Sequence, residues 1–380
     1  MVSKNDIAGI IAGYDLDRLS VSTLGSHSAL EVASGAHEEG LKNIVVCQKG
    51  RDKTYSKYYL KRKDRASNRD LGCVDEVLIL DKFSDVISDD MQNHLRLRNS
   101  IFVPNRSFSV YVPYRQIEEN FKVPIFGNRQ LLKAEERTAQ NNQYDLMRKA
   151  LIRTPKRYTA DQIDRLSIVK VPEAERNYER AFFFVNSPKD FDSKANEMIG
   201  KKIIKEEDLE RAVIEEFVIG AQFNFNFFYS QLSHEIELMG IDTRRQTNLD
   251  GILRLPANEQ LEVLKHTRVN NIEVGHIATT LRESLLQNAF ESAEKLVEIC
   301  KTEYSPGIIG PFALQGAVVS EPGKEEMIFF DLSFRIPGSP GISATPYGKY
   351  LFGQKMSIGR RIAVEIKEAS KSKRLMEILT

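Results

Sequence analysis

Cysteine is scarce in this chain, and no two of its cysteines lie near each other. Cys47, Cys73 and Cys300 are scattered over 380 residues, so no pair has metal-ligand spacing and at least one thiol is unpaired. Two of them fall in apolar or mixed segments, where a buried free thiol is the ordinary outcome. Long apolar runs are missing as well. None approaches the roughly 20 residues that span a bilayer, and the opening MVSKNDIAGI carries no signal-peptide apolar stretch. Nor does one sign of charge prevail: 54 Lys and Arg against 53 Asp and Glu leave a net charge of +1, which gives no general pull toward nucleic acid or a membrane surface. The sequence contains no nucleophile elbow, Walker lysine motif or zinc-type spacing, and no internal repeat or low-complexity tract. These absences predict a cytoplasmic protein without nucleic-acid or membrane partners, long enough for two or three domains.

What is present begins with residues 20–40, SVSTLGSHSALEVASGAHEEG. LSVSTL alternates and is rich in β-branched residues, as a strand does. Leu30, Ala33 and Ala36 follow at helical spacing up to Gly40, and NIVVCQ is a second apolar strand. The pattern predicts a strand, a tight turn at Gly25, a helix with Ser26 at its N-cap, and a strand. In such a βαβ unit the strand end and the helix N-terminus form a crevice that favours an anion. His27 could there bond a phosphate or a sugar hydroxyl, or merely sit in the first helical turn.

Residues 1–127 continue as alternating strands and helices, with EVLILD and SIFVPN as further strands. The basic stretch KGRDKTYSKYYLKRKDRASNRD interrupts them and reads as a solvated loop. A long linker helix is expected over about 128–150, opening a second unit that spans 128–380. There SIVKVP, ERAFFFVNS, RAVIEEFVIG, QFNFNFFYS, EIELMGID, IGPFALQGAVV and EMIFFDLSFR read as strands, and SIGRRIAVEIKEASKSKRLMEIL as the closing helix. In QFNFNFFYS the alternation puts Phe223, Phe225, Phe227 and Tyr229 on one face, and Gln222, Asn224 and Asn226 on the other. His37, His94, His234 and His266 lie in polar contexts and read as surface residues.

Two local features could carry chemistry. Pro322-Gly323 suits the centre of a type II turn, and pairing symmetric about Gly323 sets Gln315 opposite Asp331, on one face of neighbouring strands. Oxygen ligands so placed suit Mg²⁺, which takes its other ligands from water and nucleotide phosphate. A polar pair on a solvated face is the alternative. In VIEEFVIG, Glu215 and Glu216 end an apolar strand and Phe217 and Val218 lead to Gly220. Such a connection can wall a flat ring while a carboxylate takes a ribose hydroxyl, although paired glutamates usually face solvent.

TLGSHSAL, CQKGRDKTY, VPIFGNRQLL, IVKVP, IEEFVIG, EIELMGID, NLDGILRLPANEQL, RESLL, GIIGPFALQ and GRRIAVEIK occur in this order over almost the whole chain. In this the sequence resembles the archaeal formate-dependent 5-formaminoimidazole-4-carboxamide ribonucleotide (FAICAR) synthetases of the ATP-grasp superfamily. The resemblance implies an α/β fold, with a Rossmann-like preATP-grasp N-terminal domain followed by an ATP-grasp α+β domain. It implies ATP and Mg²⁺ as cofactors, formate and a nucleotide-like small molecule as substrates, and a homo-oligomer. His27 and Ser107 match positions that hold the aminoimidazole ribonucleotide, and His276 stands where the family has an asparagine touching it. Lys170 matches the lysine that reaches the ATP phosphates. Glu215, Glu216, Phe217 and Val218 match the hinge around adenine and ribose. Gln315 and Asp331 match the Mg²⁺ ligands, the second being glutamate in the family.

The departures cluster around these ligands. Residues 173–183, EAERNYERAFF, replace a glycine-rich phosphate loop without a single glycine, and glycine is what lets backbone N–H groups approach phosphate closely. Arg245-Gln246-Thr247 replaces a Tyr-Glu-Ser triplet, and IPGSPGIS replaces a stretch ending Gly-Thr-Asn. Two function classes follow. One is an ATP-dependent carboxylate–amine ligase of purine biosynthesis, acting on the aminoimidazole ribonucleotide or a related phosphorylated substrate. The other is a non-catalytic nucleotide-binding homologue that has lost its phosphate lid.

Overall fold

A computed structural model describes residues 1–136, 139–171, 182–267, 273–321 and 324–380. Along the first third run β1 (Ser20–Leu24), β2 (Lys42–Gln48), the short pair β3 (Arg62–Lys63) and β4 (Asp70–Leu71), β5 (Glu76–Leu80) and β6 (Ser100–Phe102). The apolar strands form a parallel sheet in the order β5-β2-β1-β6, as βαβ connections require. The basic stretch adds only a π-helical turn at Thr54–Tyr58 and the exposed β3–β4 pair. The helix after β1 spans Ala29–Glu38, and Ser28, not Ser26, is its N-cap. Ser28 is left-handed (φ 67°) and its hydroxyl donates to the Pro337 carbonyl. A distant loop thus takes the group that would otherwise have capped locally.

The linker is not one long helix. Leu131–Ala134 and Gln143–Lys149 are separate short helices, and the second starts afresh at a capping box on Asn142. Asn141 just before it has φ 59°, a conformation that a continuous helix cannot contain. Beyond it, β7 (Arg157–Tyr158), β8 (Ser167–Lys170), β9 (Phe182–Val185) and β10 (Val213–Glu216) form an antiparallel sheet in the order β7-β10-β8-β9. The larger antiparallel sheet contains β11 (Ala221–Tyr229), β12 (Ile236–Gln246), β13 (Glu273–Thr279), β14 (Gly310–Glu321) and β15 (Lys324–Ser333), in the order β13-β12-β11-β14-β15.

Its two faces differ as the alternation predicts. Phe225, Phe227 and Tyr229 pack with Ala289, Ala293, Leu296 and Val297 of the helix Glu283–Glu303, whose apolar residues recur at helical spacing. Phe228 points to the other face and joins a second core with Val21, Val32 and Ile101 of the N-terminal unit. That core also holds Ile358, Ile362 and Leu379, so the chain end packs back onto the beginning. No helix among the described residues is long and apolar enough to cross a membrane.

The hairpin pairs Gln315 with Asp331, but not by the symmetry the sequence suggests. Near the turn Glu321 faces Lys324 and Val319 faces Glu326, so the pairing is centred between residues 322 and 323 and not on Gly323. A bulge then adds Phe330 to one strand. Gly316 faces Phe329, and Gln315 faces Asp331. Without the extra residue Asp331 would leave its register with Gln315. The turn residues themselves, and the expected type II geometry, lie outside the described residues.

Candidate active site

One cavity of about 280 Å³ lies between the turn after β1 and the polar face of the large sheet. On the N-terminal side His27 is held by the backbone around it. Asn105 donates from Nδ2 to the carbonyls of Leu24 (2.8 Å) and His27 (3.0 Å). A Cβ on Gly25 would lie 2.5 Å from Cys47 Sγ, so only glycine lets the turn pack down on β2. The His27 ring rests on Gly338, where a Cβ would come 2.7 Å from Nδ1. Burial, chiefly, lowers the pKa of His27, so its imidazole is neutral near pH 7. Ser107 is buried beside Arg106, and it is Arg106 that lines the cavity.

The cavity floor follows from strand register. Asp242 faces Asn224, Asn224 faces Gln315, and Gln315 faces Asp331, which places a row of polar side chains across neighbouring strands. Asn224 donates to Asp242 Oδ2 (2.8 Å) and Asn226 to Asp242 Oδ1 (2.7 Å). The Asp242 carboxylate is fully buried and also receives His276 Nδ1. His276 Nε2 contacts Glu273 Oε1 at 2.7 Å. Burial alone would lower the pKa of His276, but the bonds to Asp242 and Glu273 outweigh it and raise the value to about 9. For Glu273 burial acts upward, and His276 and Arg244 together override it, bringing its pKa to about 2. The pair is therefore imidazolium and carboxylate at neutral pH, and the unperturbed His value near 6.5 does not apply here. Arg244 Nε lies 3.1 Å from Glu273 Oε2, and Arg244 Nη2 donates to Gln315 Oε1. On the opposite wall Glu135 is shared by Arg335 (3.4 Å) and Arg106 (3.8 Å).

Lys170 and the hinge form a second place. Neither Lys170 nor Glu215–Val218 lines the cavity. Lys170 pairs with Glu215, which is buried and not solvent-facing. Glu216 accepts from Arg153 Nη2 and from the Lys156 amide, both at 3.2 Å, and Phe217 packs edge-on against Phe184. The hinge runs straight into β11, whose Asn224 and Asn226 line the cavity. Most of the glycine-free segment 173–183 lies outside the described residues.

Gln315 and Asp331 both line the cavity from facing positions of neighbouring strands, an amide and a carboxylate, and Gln315 Oε1 accepts from Arg244 Nη2, so an ion there would share or displace that bond. This donor set fits Mg²⁺. Among the described residues no group of three or more His, Cys, Asp or Glu converges on a metal position, so an ion here would draw most ligands from phosphate and water.

The parallel α/β unit followed by a small and a large antiparallel sheet defines the ATP-grasp class. Its fold is shared with the ADP complex of an N5-carboxyaminoimidazole ribonucleotide synthetase (TM-score 0.59, 13% identity, 92% of this chain and 77% of that one). It is shared too with a biotin carboxylase from Campylobacter jejuni (TM-score 0.61, 12% identity, 92% and 71%). Nearer relatives narrow the class. A 5-formaminoimidazole-4-carboxamide-1-(beta)-D-ribofuranosyl 5'-monophosphate synthetase from Methanopyrus kandleri is 38% identical over 99% of both chains. One of the same name from Methanocaldococcus jannaschii is 37% identical over 97% of both. The crystal structure of an IMP biosynthesis protein, PurP, from Thermococcus kodakaraensis matches with TM-score 0.68 and 28% identity over 95% of this chain and all of that one. Families described as "Domain of unknown function (DUF1297)" and "Protein of unknown function (DUF1246)" match residues 190–380 and 21–158. The chain belongs to the FAICAR synthetase family, a family of ligases.

Of the residues singled out from sequence, the cavity gathers His27, His276, Gln315 and Asp331. It also contains Arg106, Glu135, Arg244, Glu273 and Arg335, which single-residue inspection passed over. These five carried no sequence signal of their own, whereas Asn224 and Asn226, which also line the cavity, stood out as polar positions in an otherwise aromatic alternation.

Proposed function

We propose that this chain is an ATP-dependent carboxylate–amine ligase that formylates 5-aminoimidazole-4-carboxamide ribonucleotide with formate, in purine biosynthesis. The supporting observation is the cavity that sets His27 against the Gln315–Asp331 edge, on the sheet into which the hinge at Glu215–Val218 leads, in a chain of this family. In this reading the formate carboxylate takes the γ-phosphoryl group of ATP. The ribonucleotide amine then attacks the activated carbon, and phosphate leaves.

The chain's own residues position and neutralise. Lys170 exchanges its bond with Glu215 for nucleotide phosphate. The backbone of Glu215–Val218 and the Phe217 ring wall the adenine, while the Glu216 carboxylate, held by Arg153, faces the ribose. His27, neutral, accepts or donates one hydrogen bond to the ribonucleotide, with Ser107 behind it. Mg²⁺, held by Gln315 and Asp331 with nucleotide phosphate, would supply charge neutralisation at the transferring group. The β13 edge exposes Val274 and Ile277, which suits assembly with like copies.

The test is ADP release with ATP, Mg²⁺ and formate, with and without the ribonucleotide. Release that depends on all four supports the ligase. Nucleotide binding without turnover under any of these conditions would instead mark a non-catalytic homologue.

A further inference from the structure

We propose that Arg244 binds a phosphate group in the cavity, aimed at the Gln315–Asp331 edge by the chain Asp242, His276 and Glu273. This rests on the reading that the cavity takes phosphorylated substrates, and it assigns the group that meets the phosphate. His276 cannot be that group. Both its ring nitrogens are committed, Nδ1 to Asp242 and Nε2 to Glu273. His276 is therefore a positioning residue and not a reader of substrate.

What it positions is legible bond by bond. Asp242 is anchored by Asn224 and Asn226, so it cannot move toward its partner. His276 bridges from that fixed carboxylate to Glu273 Oε1, and Glu273 Oε2 takes Arg244 Nε at 3.1 Å. Arg244 Nη2 then reaches Gln315 Oε1, beside Asp331. Among the described residues Arg244 Nη1 donates no hydrogen bond; Arg106 and Arg335 share Glu135 only loosely, at 3.8 and 3.4 Å, so what sets Arg244 apart is the direction fixed by its bonds to Glu273 and Gln315. Arg244 thus offers the cavity a guanidinium edge with fixed direction, and that planar fork suits the oxygens of a phosphate. A neutral amide at 276 would leave the carboxylates of Asp242 and Glu273 to repel each other and to compete for Arg244. The imidazolium removes that conflict.

The phosphate could belong to the nucleotide or to the ribonucleotide, and paired ligands separate these sources. Calorimetric titration of the full chain with ATP and adenosine, and with the aminoimidazole ribonucleotide and its riboside, is compared with Arg244→Gln. Loss of one charge-assisted bond should weaken one phosphorylated ligand about tenfold and leave its unphosphorylated partner within about twofold. Arg244→Lys should recover part of the loss. His276→Asn should weaken the same phosphorylated ligand and spare its partner. Unchanged binding of both phosphorylated ligands by folded Arg244→Gln overturns the proposal, as does an equal loss for phosphorylated and unphosphorylated ligands. If the native protein binds neither ATP nor the ribonucleotide, the functional reading fails and this assignment with it. If it binds them and only Arg244→Gln is without effect, the functional reading stands alone.

Discussion

In the proposed function Lys170 serves nucleotide phosphate as well as Glu215, and this changes what its removal should do. The Lys170–Glu215 contact is between a half-buried ammonium and a buried carboxylate. Lys170→Ala leaves that carboxylate unpaired, which costs roughly 3–5 kcal/mol in buried pairs. We expect a lower unfolding midpoint together with weaker ATP binding, so affinity alone would mislead. The double variant Lys170→Met with Glu215→Gln removes both charges, should recover much of the stability, and should still bind ATP at least tenfold more weakly. Native ATP affinity in that folded double variant would remove Lys170 from the phosphate site.

His276 carries a pH signature of defined sign. Its folded pKa, about 9, lies above the unperturbed value, so its stabilisation is complete below about pH 6.5 and is lost as pH rises through 9. Glu273, near 2 in the folded chain, contributes above about pH 4.5 and loses its contribution as pH falls through 2. The groups facing the ring are the buried carboxylate of Asp242 beneath it and, among the cavity-lining residues, Glu273, Arg244 and the neutral His27. Denaturant titrations of native protein and His276→Asn at pH 6 and pH 9 should therefore differ. The native protein should lose on the order of 1–2 kcal/mol more than the variant over that interval. Parallel loss in both proteins would mean that the imidazolium clamp does not form.

Among the elements, the crossing of two helices is set by a pair of glycines. A Cβ on Gly35 would lie 2.1 Å from the backbone of Arg360, and one on Gly359 would lie 2.0 Å from the Glu31 carbonyl oxygen. The helices Ala29–Glu38 and Ile358–Lys371 therefore approach through backbone on both sides. Gly359→Ala should push them apart and cost about 1–3 kcal/mol or more, read from the midpoint of chemical unfolding. Gly9→Ala, in a helix with nothing within 4 Å of the new carbon, should be neutral or stabilise by up to about 1 kcal/mol. Equal effects at the two positions would contradict the packing described. The hairpin shows the converse case. Its strands were legible from composition, but the bulge at Phe330 was not, because two-residue alternation carries no mark where a residue is skipped.

At the scale of the whole molecule, the chain end joins the two units. Arg361 contacts Glu237 at 2.7 Å and Glu365 at 2.9 Å, all of them buried. This ties the closing helix to β12, while the same helix packs on the one that follows the His27 turn. Arg361→Ala leaves two buried carboxylates without their cation and should destabilise by roughly 3–5 kcal/mol. Arg374→Ala removes the exposed pair with Glu377 and the bond to the Leu232 carbonyl and should leave the midpoint much nearer to the native one. Thermal unfolding of both variants is the check, and comparable midpoints would mean that the buried triad does not hold the units together.

By itself the sequence determined the strands and their apolar faces, and it singled out His27, Gln315 and Asp331 without deciding between a site and a structural or solvated position. Those features are local: alternation, β-branched content and turn residues act over a few neighbours. Ser28 holds the N-cap position in a left-handed conformation, and its hydroxyl serves a carbonyl more than 300 residues away instead of the helix. The linker broke at Asn141, and Glu215 turned inward because Lys170 stood on the next strand. The Asp242–His276–Glu273–Arg244 chain joins residues of two strands that meet only in the folded sheet. Hydrogen bonds and ion pairs form between whatever the packed chain brings within about 3 Å, and only the tertiary structure decides which groups those are.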